Sequence, residues 1–111
     1  MQVSTKQFKR CDLVSAAGRI DSQTAPKLET MFKEINDAAR FNIVFEMSEV
    51  GFVSSAGLRV MIAVQKTCKK WTRGELVLAN VPERIYETLD LAGFVPLFRI
   101  FDDITEAVGS F

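Results

Sequence analysis

Apolar positions in this chain come in two spacings: short runs of strand length, and longer stretches that repeat every three to four residues. Residues 3–8 form a weak strand pattern and 13–20 (LVSAAGRI) a second, with a polar turn at 10–12 between them. Asp21, Ser22 and Thr24 then offer helix-start chemistry, and Pro26 stands in the first turn, where its missing N–H costs nothing. The helix predicted over 24–40 puts Leu28, Met31, Phe32, Ile35 and Ala39 on one face. Residues 42–47 (NIVFEM) contain the continuous apolar run Ile43, Val44, Phe45, the mark of a central strand covered on both faces. Ser54 or Ser55 is placed to cap the next helix, which carries Gly57 in its first turn and runs to about Trp71, where Arg73 and Gly74 end it. Its first half, 60–64, is apolar nearly all round, so two of its sides should be covered or adhesive.

Residues 75–79 (ELVLA) read as another strand. Pro82 opens a helix with Ile85, Leu89 and Ala92 on one face, and Gly93 and Pro96 stop it. Residues 97–101 are the last strand, and Asp102 or Asp103 caps a final helix carrying Ile104, Ala107, Val108 and Phe111. The order is ββαβαβαβα. Strands alternating with helices predict a single-domain α/β fold: a mixed, mostly parallel sheet with flanking helices and a short antiparallel pair at its N-terminal end.

At 111 residues with 48% hydrophobic content, the chain suits one domain with a core that needs no metal or disulfide staple. Its 14 basic and 14 acidic residues cancel. A nucleic-acid binder needs a basic footprint, so nucleic acid is not an expected partner. The densest basic cluster, Lys66, Lys69, Lys70 and Arg73, suits the C-terminal end of a helix dipole. The two cysteines, Cys11 and Cys68, match no zinc spacing and are too few for a disulfide framework. The N-terminal segment MQVSTKQFKR lacks the apolar core of a secretory signal, and no apolar run is long enough for membrane insertion. The expectation is a cytoplasmic protein.

Histidine is absent, which removes the Ser-His-Asp triad, the Cys-His pair and the commonest metal ligand together. No phosphate-binding loop or dinucleotide fingerprint occurs. The expectation is a non-enzyme with neither cofactor nor metal. One segment carries chemistry, 51–58 (GFVSSAGL), with two hydroxyls at a helix start just past a buried strand. Free backbone N–H groups and the positive dipole end gather there, so an anion on Ser55 would be stabilised. Plain capping by either serine accounts for the same residues. Val50, Phe52 and Val53 are apolar in an expected surface loop, and Phe52 above all is expected to roof the core.

The segment FEMSEVGFVSSAGLRVMI resembles the signature of the STAS domain (sulfate transporter and anti-sigma factor antagonist). That signature is an apolar strand, a short apolar loop with a serine just before Gly-Leu, and an apolar helix. Upstream, GRIDSQTAPKLE resembles the family's second landmark. The resemblance covers essentially the whole chain and points to the stand-alone bacterial antagonist type. It implies that the serine two residues before Gly57, Ser55, is phosphorylated by an anti-sigma factor that is also a serine kinase. The unphosphorylated antagonist binds that kinase and frees a sigma factor, the phosphorylated form lets go, and a serine phosphatase resets it. Ser54 stands where the family often has Asp, which keeps Ser54 open as the acceptor; Glu46 replaces the family's strand-end Asp. Asp21 matches an acidic residue linked to phosphorylation, and as a bare residue it equally suits a helix cap or turn. The partner is expected to touch Val53, Ser54, Ser55, Ala56, Leu58 and Arg59, with part of 60–64. The alternative is a STAS scaffold subunit of a lipid-transport or stress-signalling assembly, without phosphorylation. The oligomeric state is open.

Overall fold

The computed structural model describes residues 1–72 and 74–111, with Trp71 and Thr72 described in their backbone alone. Arg73, expected to help end a helix and to complete the basic cluster, lies outside the described residues. Five strands form one sheet in the order β1 (Gln2–Gln7), β2 (Asp12–Ile20), β3 (Asn42–Val53), β4 (Glu75–Ala79), β5 (Ile100–Phe101). The β1–β2 pair is antiparallel and the other three pairs are parallel. Between and after them come α1 (Ala25–Asp37), α2 (Ser55–Thr72), α3 (Glu83–Leu91) and α4 (Ile104–Gly109). This is the α/β architecture and the element order that the hydrophobic spacing predicts.

Alternation along the strands divides the core in two. Ile43, Phe45 and Met47 of β3 face the helices α1, α2 and α3, joined by Val14, Ile20, Leu76 and Leu78 from the neighbouring strands. Val44, Val77 and Ala79 face the other way, under Ala107 of α4. Ile43, Val44 and Phe45 are wholly buried, as a central strand covered on both faces must be. Phe32 of α1 meets Phe45 edge to face, ring centroids 5.3 Å apart. Buried Ala25, Leu28, Phe32 and Ile35 form the inner face of α1. The helix ends at Asp37, short of the predicted 40, because Ala39 turns left-handed at φ 62°. That turn sends Arg40 toward the β1–β2 connection, where its guanidinium bonds the Asp12 carboxylate and the carbonyls of Phe8 and Cys11.

Two strands depart from their predicted limits by more than one residue. β3 continues to Val53 instead of ending at Met47. Against β2 it carries extra residues: Ser15 pairs with Glu46 and Ala17 with Glu49, then Gly18 with Val50 and Arg19 with Phe52. These bulges change the burial period from two to three, so Met47, Val50 and Val53 point inward while the residues between them are exposed. β5 is reduced to Ile100–Phe101, and Val95–Leu97, beginning just before Pro96, forms a short 3₁₀ turn. At the far end of α2, only glycine fits at position 74, where a Cβ would lie 2.2 Å from the Phe41 carbonyl oxygen.

Candidate functional site

The parallel strands β2 and β3 end side by side, with Ile20 paired to Val53. The Ser54 N–H donates to the Ile20 carbonyl at 2.8 Å, which ties the start of α2 to the end of β2. Ser54 is the residue that caps α2. Its carbonyl accepts the Leu58 N–H at 3.0 Å, and its Oγ accepts the Gly57 N–H at 3.4 Å. Ser55 occupies the first helical position. It is exposed, and its hydroxyl has no hydrogen-bond partner among the described residues. The two neighbouring serines are therefore unlike: one is committed to the backbone, the other is free at the positive end of an 18-residue helix.

Gly57 brings that helix down onto the strand ends. A Cβ there would lie 2.7 Å from Ile20 Cγ2 and 3.0 Å from Val53 Cγ1. Its contribution is close packing, which fixes where Ser55 projects.

Asp21 directly follows Ile20, as Ser54 follows Val53, so the two occupy matching positions at adjacent strand ends. Asp21 Oδ1 accepts the N–H groups of Thr24 at 3.1 Å and Gln23 at 3.0 Å. The Thr24 hydroxyl accepts the Asp21 N–H at 2.9 Å and donates to the Arg19 carbonyl at 2.7 Å. The Thr24 backbone bond holds the Asp21 carboxyl below the usual carboxylate range against the opposing effect of desolvation; Gln23 N–H, the Thr24 hydroxyl and the nearby Arg19 guanidinium add to the lowering. Asp21 is thus an ionised turn-former that sets the approach to α1. The position that caps α1 belongs to Thr24, whose side chain makes no capping bond.

The residues expected to meet a partner separate by exposure. Ser55 and Arg59 are exposed, and Ser54 and Ala56 are half-buried. Val53, 5% exposed, and Leu58, 9% exposed, are core residues and offer almost no surface to a partner. In 60–64, Val60, Met61 and Val64 are buried between the sheet and α1, Ile62 is half-buried and Ala63 exposed. The apolar girth of α2 serves two packing faces.

Phe52 also departs from expectation. The core is roofed by Val50 and Val53, and Phe52 is 38% exposed because the bulged register turns it outward. Arg19, its cross-strand neighbour, lies over the ring at 4.2 Å and stands 3.8 Å from Asp21 Oδ2. Sequence reading missed this Arg19–Phe52 pair, since the register that opposes them is set by the bulges. A furrow of about 500 Å³ runs from the Ser55 end between α1 and α2, lined by Ser22, Pro26, Glu29, Ala56 and Arg59 among others. Among the described residues no helix is long and apolar enough to cross a membrane.

The family model of the STAS domain matches residues 2–107. The chain belongs to the STAS domain family. Among relatives of this STAS domain, BtrV of Bordetella bronchiseptica, named as an anti-sigma factor antagonist, is 29% identical over 94 residues, 85% of this chain and 80% of that protein. The anti-sigma factor antagonist of Mycobacterium paratuberculosis has the same fold, with a TM-score of 0.87 at 21% identity, covering 98% of this chain and 92% of the other. The Bacillus cell fate determinant SpoIIAA, solved in its phosphorylated form, superposes with a TM-score of 0.77 at 14% identity, over 98% of each chain. The anti-sigma-B factor antagonist of Listeria monocytogenes is a further relative, 25% identical over 87 residues, 78% of this chain and 75% of that protein.

Proposed function

We propose that this STAS domain is a cytoplasmic, non-enzymatic partner switch controlled by phosphorylation of Ser55. In the unmodified state it binds an anti-sigma factor that is also a serine kinase, and so releases a sigma factor. The kinase transfers phosphate from ATP. The Ser55 Oγ–P bond forms, the bond from the γ-phosphorus to the bridging oxygen breaks, ADP leaves, and the hydroxyl proton passes to a base on the kinase. The modified protein dissociates. A serine phosphatase restores the hydroxyl with water and releases inorganic phosphate.

The observation that carries the reading is the division between the serines: Ser54 caps α2 and Ser55 stands free and exposed at its first position. Free N–H groups there tolerate added negative charge, so phosphate can be carried without melting the helix. Asp21, fixed at the adjacent strand end, is assigned a role in guiding the transfer, and Gly57 in setting the position of Ser55. The docking surface in this reading is Ser54, Ser55, Ala56, Arg59 and the outer side of α2.

The test is incubation with the cognate anti-sigma kinase and Mg-ATP, followed by mass-spectrometric mapping. Phosphate on Ser55, abolished in Ser55→Ala and retained in Ser54→Ala, is the expected result. Stoichiometric phosphorylation at Ser55 with unchanged kinase affinity would reject the switch in favour of a fixed scaffold.

A further inference from the structure

The outer surface of α2 is a single stripe: Ser55, Arg59, Ala63 and Lys66 follow one another at helical spacing and all are exposed. The helix contains no Asp or Glu. Arg59 makes no hydrogen bond, ion pair or ring contact among the described residues. It sits four residues after Ser55, and side chains so spaced are surface neighbours, with Cβ atoms about 5–6 Å apart. We infer that Arg59 is the internal counter-ion of a phosphate on Ser55, so that modification both adds negative charge at the loop and withdraws a cation from the surface that meets the partner. This deepens the proposed phosphorylation of Ser55 and rests on that reading for its biological use.

The geometry favours Arg59 over the other nearby cation. Arg19 is engaged with the Phe52 ring and near the Asp21 carboxylate, and it projects from the end of β2. Arg59 carries a planar fork of donors suited to bidentate contact with phosphate oxygens, and a phosphoserine offers three. The groups facing this position are few. Glu29 of α1 lines the same furrow as Arg59 without pairing to it, and Ser22 lies beside it. Asp21 at the end of β2 disfavours a dianion nearby, which increases the value of a compensating cation. In the unmodified protein Arg59 is free to meet a carboxylate on the partner; in the modified protein the phosphate takes it.

The test uses the full chain with phosphoserine installed at position 55 during translation, so no kinase is needed. The second ionisation of the phosphate, ordinarily near pH 6, is followed by phosphorus NMR, and the Arg59 Nε–H by nitrogen NMR. An opposing charge at this spacing lowers that pKa, so Arg59→Gln should raise it by about 0.15–0.4 pH unit relative to the unsubstituted phosphoprotein. Arg59→Lys should recover part of the difference, having the charge but no fork. Lys66→Gln removes equal charge roughly 16 Å along the helix, beyond a physiological Debye length, and should leave the value unmoved. The Arg59 Nε–H resonance should shift on phosphorylation. Equal titrations for Arg59→Gln and the parent, or equal changes for Arg59→Gln and Lys66→Gln, would overturn the inference. Failure of the kinase to label Ser55 would sink the functional reading and leave this pairing standing, so the two outcomes are separable.

Discussion

Gln65, buried on α2, hydrogen-bonds Leu76 of β4 through both ends of its amide: Nε2 donates to the Leu76 carbonyl at 3.0 Å and Oε1 accepts the Leu76 N–H at 2.8 Å. The same Nε2 donates to the Leu97 carbonyl at 2.8 Å. Leu78 and Asn80 direct their N–H groups to Arg99 and Phe101, so the same edge of β4 at Leu76 faces the side where β5 would continue. The short β5 does not reach it. The glutamine amide stands in for the missing strand residue and fastens α2 to the sheet.

Replacing Gln65 by leucine should therefore be costly despite added hydrophobicity. Two buried backbone groups of Leu76 lose their partners, at about 2–4 kcal/mol in all. Urea unfolding should show an earlier midpoint at unchanged slope; a leucine variant as stable as the parent would mean that the Leu76 groups find other partners.

That same residue shows where sequence reading stops. Gln65 lies in a helical pattern in which a polar residue ordinarily marks the solvent side, and nothing local announces that it completes a strand. Hence the sequence pattern predicts β5 over 97–101, whereas the 97–99 segment yields its place to a side chain. The centre of β3 was legible because Ile43, Val44 and Phe45 are apolar on both faces. Its second half was not, because inward positions recur every third residue after Met47 and mimic a loop. The segment 51–58 was legible as a helix start with two hydroxyls. The assignment of one to capping and the other to solvent depends on the hydrogen bond to Gly57, as the exposure of Phe52 depends on register.

Gly57→Ala tests how closely α2 approaches the strand ends. The new methyl meets Ile20 at 2.7 Å and Val53 at 3.0 Å, inside van der Waals contact. Relief requires lifting the start of α2, an overpacking cost of about 1–3 kcal/mol. Amide shifts should concentrate at 20–21 and 53–58. A variant with parental stability and no such shifts would show that the contact relaxes freely.

Asp21→Asn tests the charged turn. The folded pKa of Asp21 is depressed, so the unfolded state binds the proton more readily, and stability from this group rises with pH through the window. The contribution is complete above the unfolded value, roughly pH 4, and is lost as pH falls through the folded value. Parent and Asp21→Asn should differ in stability at pH 7 and converge as the pH falls below the depressed folded value. A pH-independent difference would assign the effect to the amide's own hydrogen bonding. Kinase assays beside the melts separate this from the proposed guiding role: slowed transfer to Ser55 at temperatures where the variant is fully folded is the expected outcome.

The two serines give the sharpest contrast. Ser54→Ala removes a capping oxygen and should lower stability by about 0.5–2 kcal/mol, while Ser55→Ala, which removes an unbonded exposed hydroxyl, should stay within about 0.5 kcal/mol of the parent. In kinase binding the order reverses. Phosphorylation at Ser55 adds about −1.5 to −2 charge where the free helix end tolerates it, so the melting temperature should hold within a few degrees. In the complex the same group is desolvated against a partner holding nucleotide phosphates. Even a hundredfold loss of affinity needs only about 2.7 kcal/mol, and the expected loss is at least tenfold. Ser55→Asp should reproduce part of this loss, having one charge and fewer acceptor oxygens, and Ser55→Ala should bind regardless of ATP. Ser54→Ala should still switch, because its cap can be lost without touching the acceptor. Calorimetric titration of all four proteins against the kinase, with and without prior phosphorylation, measures these differences directly; a Ser54→Ala protein that no longer responds to phosphorylation would move the acceptor to Ser54.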